Sequence, residues 1–460
     1  MKVIRSALLL FAASLAAASC GERAGAPMSP ASVAAADANA DSPIDRPFRL
    51  KSADELDVDR LFRLLPLYLR PTYEKATFDP RSGATIVTGL KFGSEKTADG
   101  FAAGRAEFYG VDLDRIERLN GETDAPLDAP FSPVLAKLRL FDVETFAGEE
   151  GRPRTSIKAV EIDSLRVRDG GIPKTSGANG LAALINAFDF AGVYFKDIRA
   201  TGGDVAESDT GAAFDFAAAD LRFVGAGGGK LKAVIGRDLE YEVRQSADAV
   251  AAASGKLGPM AEILVSGPLR AFIAPEEQRT KIKTLEWRNI SFAGLLDFGL
   301  RGEQPPITAR NLMDLGTAKL TDVETYVGEK RFSLTPEVDI PALEFAWLAP
   351  SKVRAVTRGG VYDFTALVPD EEREAISLLK TRRLDRVRGD SDFAYDWNPD
   401  RGGAVLSAGY DSAGFADFDL DLALEGLELK GLEAARAGGA ANPAAETARL
   451  GRFSLIISDE

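Results

Sequence analysis

Histidine is absent from all 460 residues, and cysteine occurs once, at Cys20. The first absence removes the commonest general base and the commonest metal ligand. It excludes a Ser-His-Asp triad, a Cys-His pair and any zinc site that uses imidazole. A single cysteine excludes an internal disulfide and a thiolate-rich metal centre. Basic charge is in deficit as well: 56 Lys and Arg stand against 70 Asp and Glu, a formal net charge of -14. That argues against a nucleic-acid partner, and against adhesion to anionic lipid through charge alone. The apolar run at residues 6–18 is shorter than the roughly 20 residues that a membrane-spanning helix needs. The full sequence is 45% hydrophobic and 27% charged, which is ample material for a folded core.

The chain starts with a short basic stretch, Met1-Lys2-Val3-Ile4-Arg5, followed by SALLLFAASLAAA and then Ser19-Cys20-Gly21. Charge, apolar core and small residues in that order make a secretory signal peptide over residues 1–19. Ala17-Ala18-Ser19-Cys20 resembles the lipobox of bacterial lipoproteins, although Ala17 stands where that family usually has Leu or Val. The resemblance implies diacylglycerol on the Cys20 thiol, cleavage just before it, and acylation of the new amino terminus. Gly21 is similar to the residue found in lipoproteins sorted to the outer membrane. The rival reading is ordinary cleavage in the Ala16-Ala17-Ala18 run, which leaves a free thiol. Each buried CH₂ contributes about 0.8 kcal/mol, so several acyl chains are needed for a lasting anchor. Residues 20–47 are rich in Ala, Pro, Ser and Asp and read as a disordered tether. Order is expected from Phe48, with Ser52 and Glu55 as a capping box for a short helix carrying Leu56, Leu61, Phe62, Leu64 and Leu65.

The body, residues 48–434, alternates apolar and polar residues with period two between glycines. It also repeats. Residues 155–201 align without gaps on residues 280–326, at an offset of 125. Ile157-Lys-Ala-Val-Glu161 matches Ile282-Lys-Thr-Leu-Glu286, and Phe195-x-Asp197-Ile198 matches Leu320-x-Asp322-Val323. An earlier copy runs from Ala106-Glu107-Phe108 to Asp142-Val143, and a looser one from Ile340 to Val387. The modules thus lie near residues 103–142, 157–197, 282–322 and 340–387. Each reads as strand, insert with a short helix, strand. The shared glutamate, flanked by apolar residues, is expected to point away from the core. The shared aspartate before Val or Ile has the character of a turn or bulge residue. Residues 370–381 form the clearest helix, acidic at its start and basic at its end. Residues 435–447 read as a low-complexity linker and residues 448–460 as a terminal strand, the abrupt stop leaving open a truncated chain. The expected fold is mainly β, a β-dominated α+β protein with an elongated, largely antiparallel sheet of repeated strand–short helix–strand modules.

Candidate chemistry is sparse. Gly225-Ala-Gly-Gly-Gly-Lys230 is one residue short of a phosphate-binding loop and lacks its Ser or Thr, so it reads as a hairpin. Asp396-Trp-Asn398-Pro-Asp400-Arg-Gly402 is similar to a calcium loop, but Arg401 intervenes before the glycine and Ser407 stands where Glu is needed. Asp417, Asp419 and Asp421 lie on one strand face about 6.5–7 Å apart in succession, a spacing compatible with glycoside hydrolysis or simply with a solvated face. Gly409-Tyr-Asp-Ser412-Ala-Gly414 has one residue too many for a nucleophile elbow. No residue is assigned a catalytic, metal-binding or cofactor-binding role. Lipid attachment at Cys20 is the one site expected, and no cofactor is implied.

A signal, a lipobox, a tether and a long β-repeat body together resemble envelope lipoproteins of alphaproteobacterial type. The strand rhythm is similar, more distantly, to AsmA-type envelope proteins. That resemblance implies a non-enzymatic protein, lipid-anchored in the envelope and facing the periplasm, which binds a lipid or an envelope protein on its sheet. The alternatives are an assembly scaffold of the outer membrane and, last, a carboxylate-dependent glycan-active enzyme.

Overall fold

The computed structural model describes residues 37–51, 53–65, 70–93, 99–121, 129–147, 154–169, 178–202, 212–245, 277–347, 349–413, 416–431, 434 and 447–459. Cys20, the signal and the linker at 435–446 lie outside them. Among the described residues the strands belong to one antiparallel sheet of 17. In chain order they are β1 (Lys75–Asp79), β2 (Ala84–Phe92), β3 (Asp99–Val111), β4 (Phe131–Ala147), β5 (Arg154–Arg168), β6 (Phe188–Gly202), β7 (Ala212–Gly227), β8 (Lys230–Gln245) and β9 (Glu277–Ser291). They continue with β10 (Arg310–Asp314), β11 (Thr317–Val327), β12 (Lys330–Ala346), β13 (Ala349–Tyr362), β14 (Val387–Asn398), β15 (Gly403–Ala413), β16 (Ala416–Glu425) and β17 (Arg449–Asp459). Among the described residues, short helices interrupt them: α1 (Val58–Arg63), α2 (Leu113–Gly121), α3 (Ala178–Ala187), α4 (Ala293–Arg301) and α5 (Arg373–Thr381). None is long and apolar enough to cross a membrane. The chain divides into two units. One comprises residues 1–207, 214–239 and 288–304, the other residues 208–213, 240–287 and 305–460.

The repeat is written in backbone conformation as well as in sequence. Three residues after the shared glutamates Glu107, Glu161, Glu286 and Glu344 stand Gly110, Ser164, Asn289 and Trp347, all with φ between 53° and 60°. The shared aspartates Asp142, Asp197 and Asp322 have φ of 52°, 49° and 47°. Each non-glycine residue there forgoes about 1–2 kcal/mol of backbone preference, and Asp and Asn tolerate that region best. Residues 103–142 hold β3, α2 and β4, and residues 157–197 hold β5, α3 and β6. Residues 340–387 depart from the pattern by inserting the whole of β13 before α5.

In the first unit the sheet has one charged and one apolar face. Glu107, Arg139, Glu161, Tyr194 and Arg222 are neighbours across β3 to β7 in one register row. Glu161 is 0% exposed, ion-paired with Lys137, and accepts from Arg139 Nε at 2.7 Å. The shared glutamate therefore does not point to solvent in this unit, contrary to the sequence expectation: Glu107 and Glu161 are both buried among cations. Period two fixes which residues share a face but not which face is covered. The covering element is residues 37–50, of which 37–47 fall within the expected tether. Small size lets them lie flat, with Ala38 and Ile44 buried against Ala159, Tyr194, Val224, Ala233 and Ile235. Phe48 stacks edge-on over Tyr109 at 5.0 Å.

On the opposite face α2 packs Leu119 and Ile116 against Val134, Leu135 and Val167. Helices α3 and α4 meet closely: a Cβ at Gly299 would lie 2.9 Å from that of Ala182. Helix α1 is shorter than expected, because Leu56 N donates to Thr85 Oγ1 and holds the preceding chain extended. Its cap is Asp57, whose side chain accepts from Arg60 N; the expected cap, Ser52, lies outside the described residues. Helix α5 likewise starts at Arg373, leaving Asp370 to pair with Lys330.

The second unit pairs sequential strands from β11 to β17. β10 is a short offshoot, turned by Gly316 at φ 63°, which also pairs with β12. β17 is the terminal strand expected from the sequence.

Replacing Glu161 by Ala leaves Lys137 and Arg139 buried without their shared carboxylate. The expected loss is about 3–5 kcal/mol of stability, read as a lower urea midpoint at unchanged slope.

Candidate functional site

Alternation sorts β12 to β17 of the second unit into two unlike faces. The registers place Leu343, Val353, Tyr395, Leu406, Leu422 and Phe453 side by side in one row. The parallel row holds Ala355, Phe393, Ala408, Leu420 and Leu455. None of these residues is fully buried; most are half-covered, and Phe453 is 58% exposed. The residues that alternate with them face the other way and are mostly small or polar: Ala394, Ser407, Asp421 and Ser454 form the line between the rows, and Asp392, Gly409 and Asp419 the next line, which ends on Val356 and Ile456. An apolar face spanning six strands is therefore left partly open to water, larger than the scattered apolar residues of an ordinary surface.

Both ends of this face are built. At one end Trp397 is buried with Ala346, Ala404, Leu427 and Leu429, and its Nε1 donates to Leu427 O at 2.8 Å. Beside it Ala349, Pro350, Val353, Phe393, Tyr395, Trp397 and Leu427 line an open groove of about 420 Å³. At the other end runs an aromatic file. Phe364 meets Phe332 at 5.9 Å, Phe332 meets Tyr362 at 6.0 Å, Tyr362 meets Tyr410 at 6.2 Å and Tyr410 meets Phe418 at 5.4 Å. Glycine leaves room for the file: a Cβ at Gly389 would lie 2.8 Å from the Tyr410 ring. Burial, with Tyr362 adjacent, pushes the Tyr410 hydroxyl up to about 12, and that hydroxyl has no hydrogen-bond partner among the described residues. The arrangement offers apolar contact across the strands with few hydrogen bonds to give, which suits an apolar ligand.

The motifs singled out in the sequence lie elsewhere. Gly228 and Gly229, at φ 55° and 83°, turn the β7–β8 hairpin, and Lys230 opens β8. Asp396 pairs with Arg354, and Asp400 with Arg310 at 2.5 Å, while Asn398 Oδ1 accepts from the amides of Asp400 and Arg401. These partners make a hairpin turn of the calcium-like stretch. Asp417, Asp419 and Asp421 share the polar face of β16. Asp417 accepts from Ser412 N at 2.6 Å, and Ser412 Oγ donates to Ala416 O. Cys20 lies outside the described residues. No sequence motif marks the open apolar face; the alternation of Phe418, Leu420 and Leu422 with aspartates is its one signal.

Val353→Asp places a solvated carboxylate in the groove. It is expected to weaken binding of an environment-sensitive apolar dye about tenfold, equivalent to 1.4 kcal/mol, with circular dichroism unchanged. Tyr410 keeps its proton in the folded state up to about 12, whereas an exposed tyrosine releases it near about 10. Between those two values the unfolded chain binds fewer protons, so stability falls as pH rises. Tyr410→Phe should flatten that fall in urea titrations.

Comparison with protein-family models, curated proteins and solved structures found no match to this chain.

Proposed function

We propose that this protein is a lipid-anchored lipoprotein of the bacterial envelope, held by acyl chains on Cys20 at the outer membrane and facing the periplasm. In this reading it is not an enzyme. It binds an apolar ligand, a lipid, on the open face of β12 to β17. The observation that carries the reading is the row Leu343, Val353, Tyr395, Leu406, Leu422 and Phe453, apolar across six strands and nowhere fully covered. Full burial of one such side chain contributes about 1.5–3 kcal/mol, so an acyl chain laid along the row gains several such increments. The absence of histidine and the hairpin and surface roles of the candidate motifs weigh on the same side.

A second reading, a scaffold that docks an envelope protein, is favoured by one feature. In β17, Phe453, Leu455, Ile456 and Ile457 are between 50% and 65% exposed. Alternation puts Ile456 on the face opposite the other three, so the strand is apolar on both sides. Clustered exposed apolar side chains of this kind mark protein interaction sites.

Solvent extraction of protein purified from bacterial membranes, followed by mass spectrometry, is expected to yield a phospholipid or glycolipid near one per chain. Its absence would count against the lipid reading. Cys20→Ala is expected to abolish acyl labelling and release the protein from membranes; retention on the membrane would overturn the anchor.

A further inference from the structure

The first unit contains a segment that is bound to the sheet the way a ligand is bound. Residues 37–48 make no strand ladder with it. They fold into a turn closed by Ala40 N to Asp37 O, and a second, Pro43–Asp45, closed by Arg46 N to Pro43 O. Their polar contacts with the sheet come from charged side chains that reach up to main-chain carbonyls. Arg222, 0% exposed, donates to Asp37 O at 3.0 Å and to Ala40 O at 2.7 Å. Arg139 donates to Arg46 O at 2.7 Å. Lys196 pairs with Asp45, and Ser42 Oγ donates to Asp220. Asp220 in turn holds Arg222 and Arg237, each at 2.6 Å, so the guanidinium of Arg222 is oriented before the peptide is counted.

A cover needed only for stability would be served better by an apolar floor. Burying paired charges gains little over well-packed hydrophobic residues, and their best-attested use is specificity. Here the floor carries oriented arginines whose N–H groups match peptide carbonyls, a lysine for an acidic side chain, and a small apolar pocket taken by Ala38 and Ile44. Recognition through carbonyls and small side chains reads backbone shape and negative charge more than sequence. We propose that the charged face of β4 to β8 is a binding groove for a short acidic peptide folded into turns, occupied in cis by residues 37–48 of the same chain. A peptide of that class arriving from another protein competes with this strap, and the strap is the lid that it displaces.

The test keeps the whole chain. A protease site inserted after the exposed Lys51 separates the strap from the folded body on cleavage. A fluorescein-labelled peptide of residues 37–50 is then added, and exchange is followed by anisotropy. The expected result is saturable binding to cleaved protein, at least tenfold weaker binding to the cleaved Arg222→Gln variant, and weakening by salt. Uncleaved protein is expected to bind the peptide at least tenfold more weakly than cleaved protein. If the cleaved strap never exchanges, it is a structural element and the proposal fails. It fails equally if the strap leaves and no labelled peptide binds, or if Arg222→Gln binds as well as the parent. Thermal melting of Arg222→Gln before cleavage separates loss of the groove from loss of the fold. Should that variant not fold, Lys196→Glu at the more exposed rim takes its place, and undiminished binding there overturns the proposal in the same way.

Discussion

A β-strand has two faces and no interior, and every other feature of this protein answers to that constraint. Among the described residues, seventeen strands present their side chains alternately up and down. Each face must be covered, or solvated, or left for something else. The first unit covers its charged face with a length of peptide and packs helices against the apolar one. The second unit solvates its polar face with aspartates and, among the described residues, caps the apolar one at its ends. The proposed functions of both units follow from these different answers to one geometric demand.

The buried charges of the first unit show how a polar floor is tolerated. Glu161 sits between Lys137 and Arg139, and Asp220 between Arg222 and Arg237. Each carboxylate serves two cations, so donors and acceptors stay paired when water is excluded. The aromatic file of the second unit solves the opposite problem. Rings as large as those of Tyr362 and Tyr410 fit over a sheet where Gly360 and Gly389 leave the surface bare, since a Cβ at either would come within 2.8 Å of a ring.

The fold class was legible because period two and glycine punctuation are local signals. The repeats were legible for the same reason, and the recurrent aspartates fall on residues with left-handed backbone. Coverage was not legible. Glu161 and Asp421 both alternate with apolar neighbours, yet the first is fully buried and the second lies on the open polar face. What separates them is a segment more than a hundred residues away in sequence. Composition marks residues 37–47 as unable to fold, which is true of them alone; the partners that hold them are Arg139, Lys196 and Arg222. The open apolar face was hidden by the same limit, since alternation tells which side chains agree and not what lies above them.

The sequential pairing from β11 to β17 has a bearing on how such a chain can change length. An antiparallel sheet in which neighbours in sequence are neighbours in space can gain or lose a hairpin without rerouting any other connection. It must do so two strands at a time, since a single added strand would reverse the direction of all that follow and exchange their loops between the two rims. The β14–β15 hairpin, closed by the tight turn before Gly403, is a unit of that kind. Growth by pairs lengthens the sheet in steps of about 10 Å, set by the strand spacing.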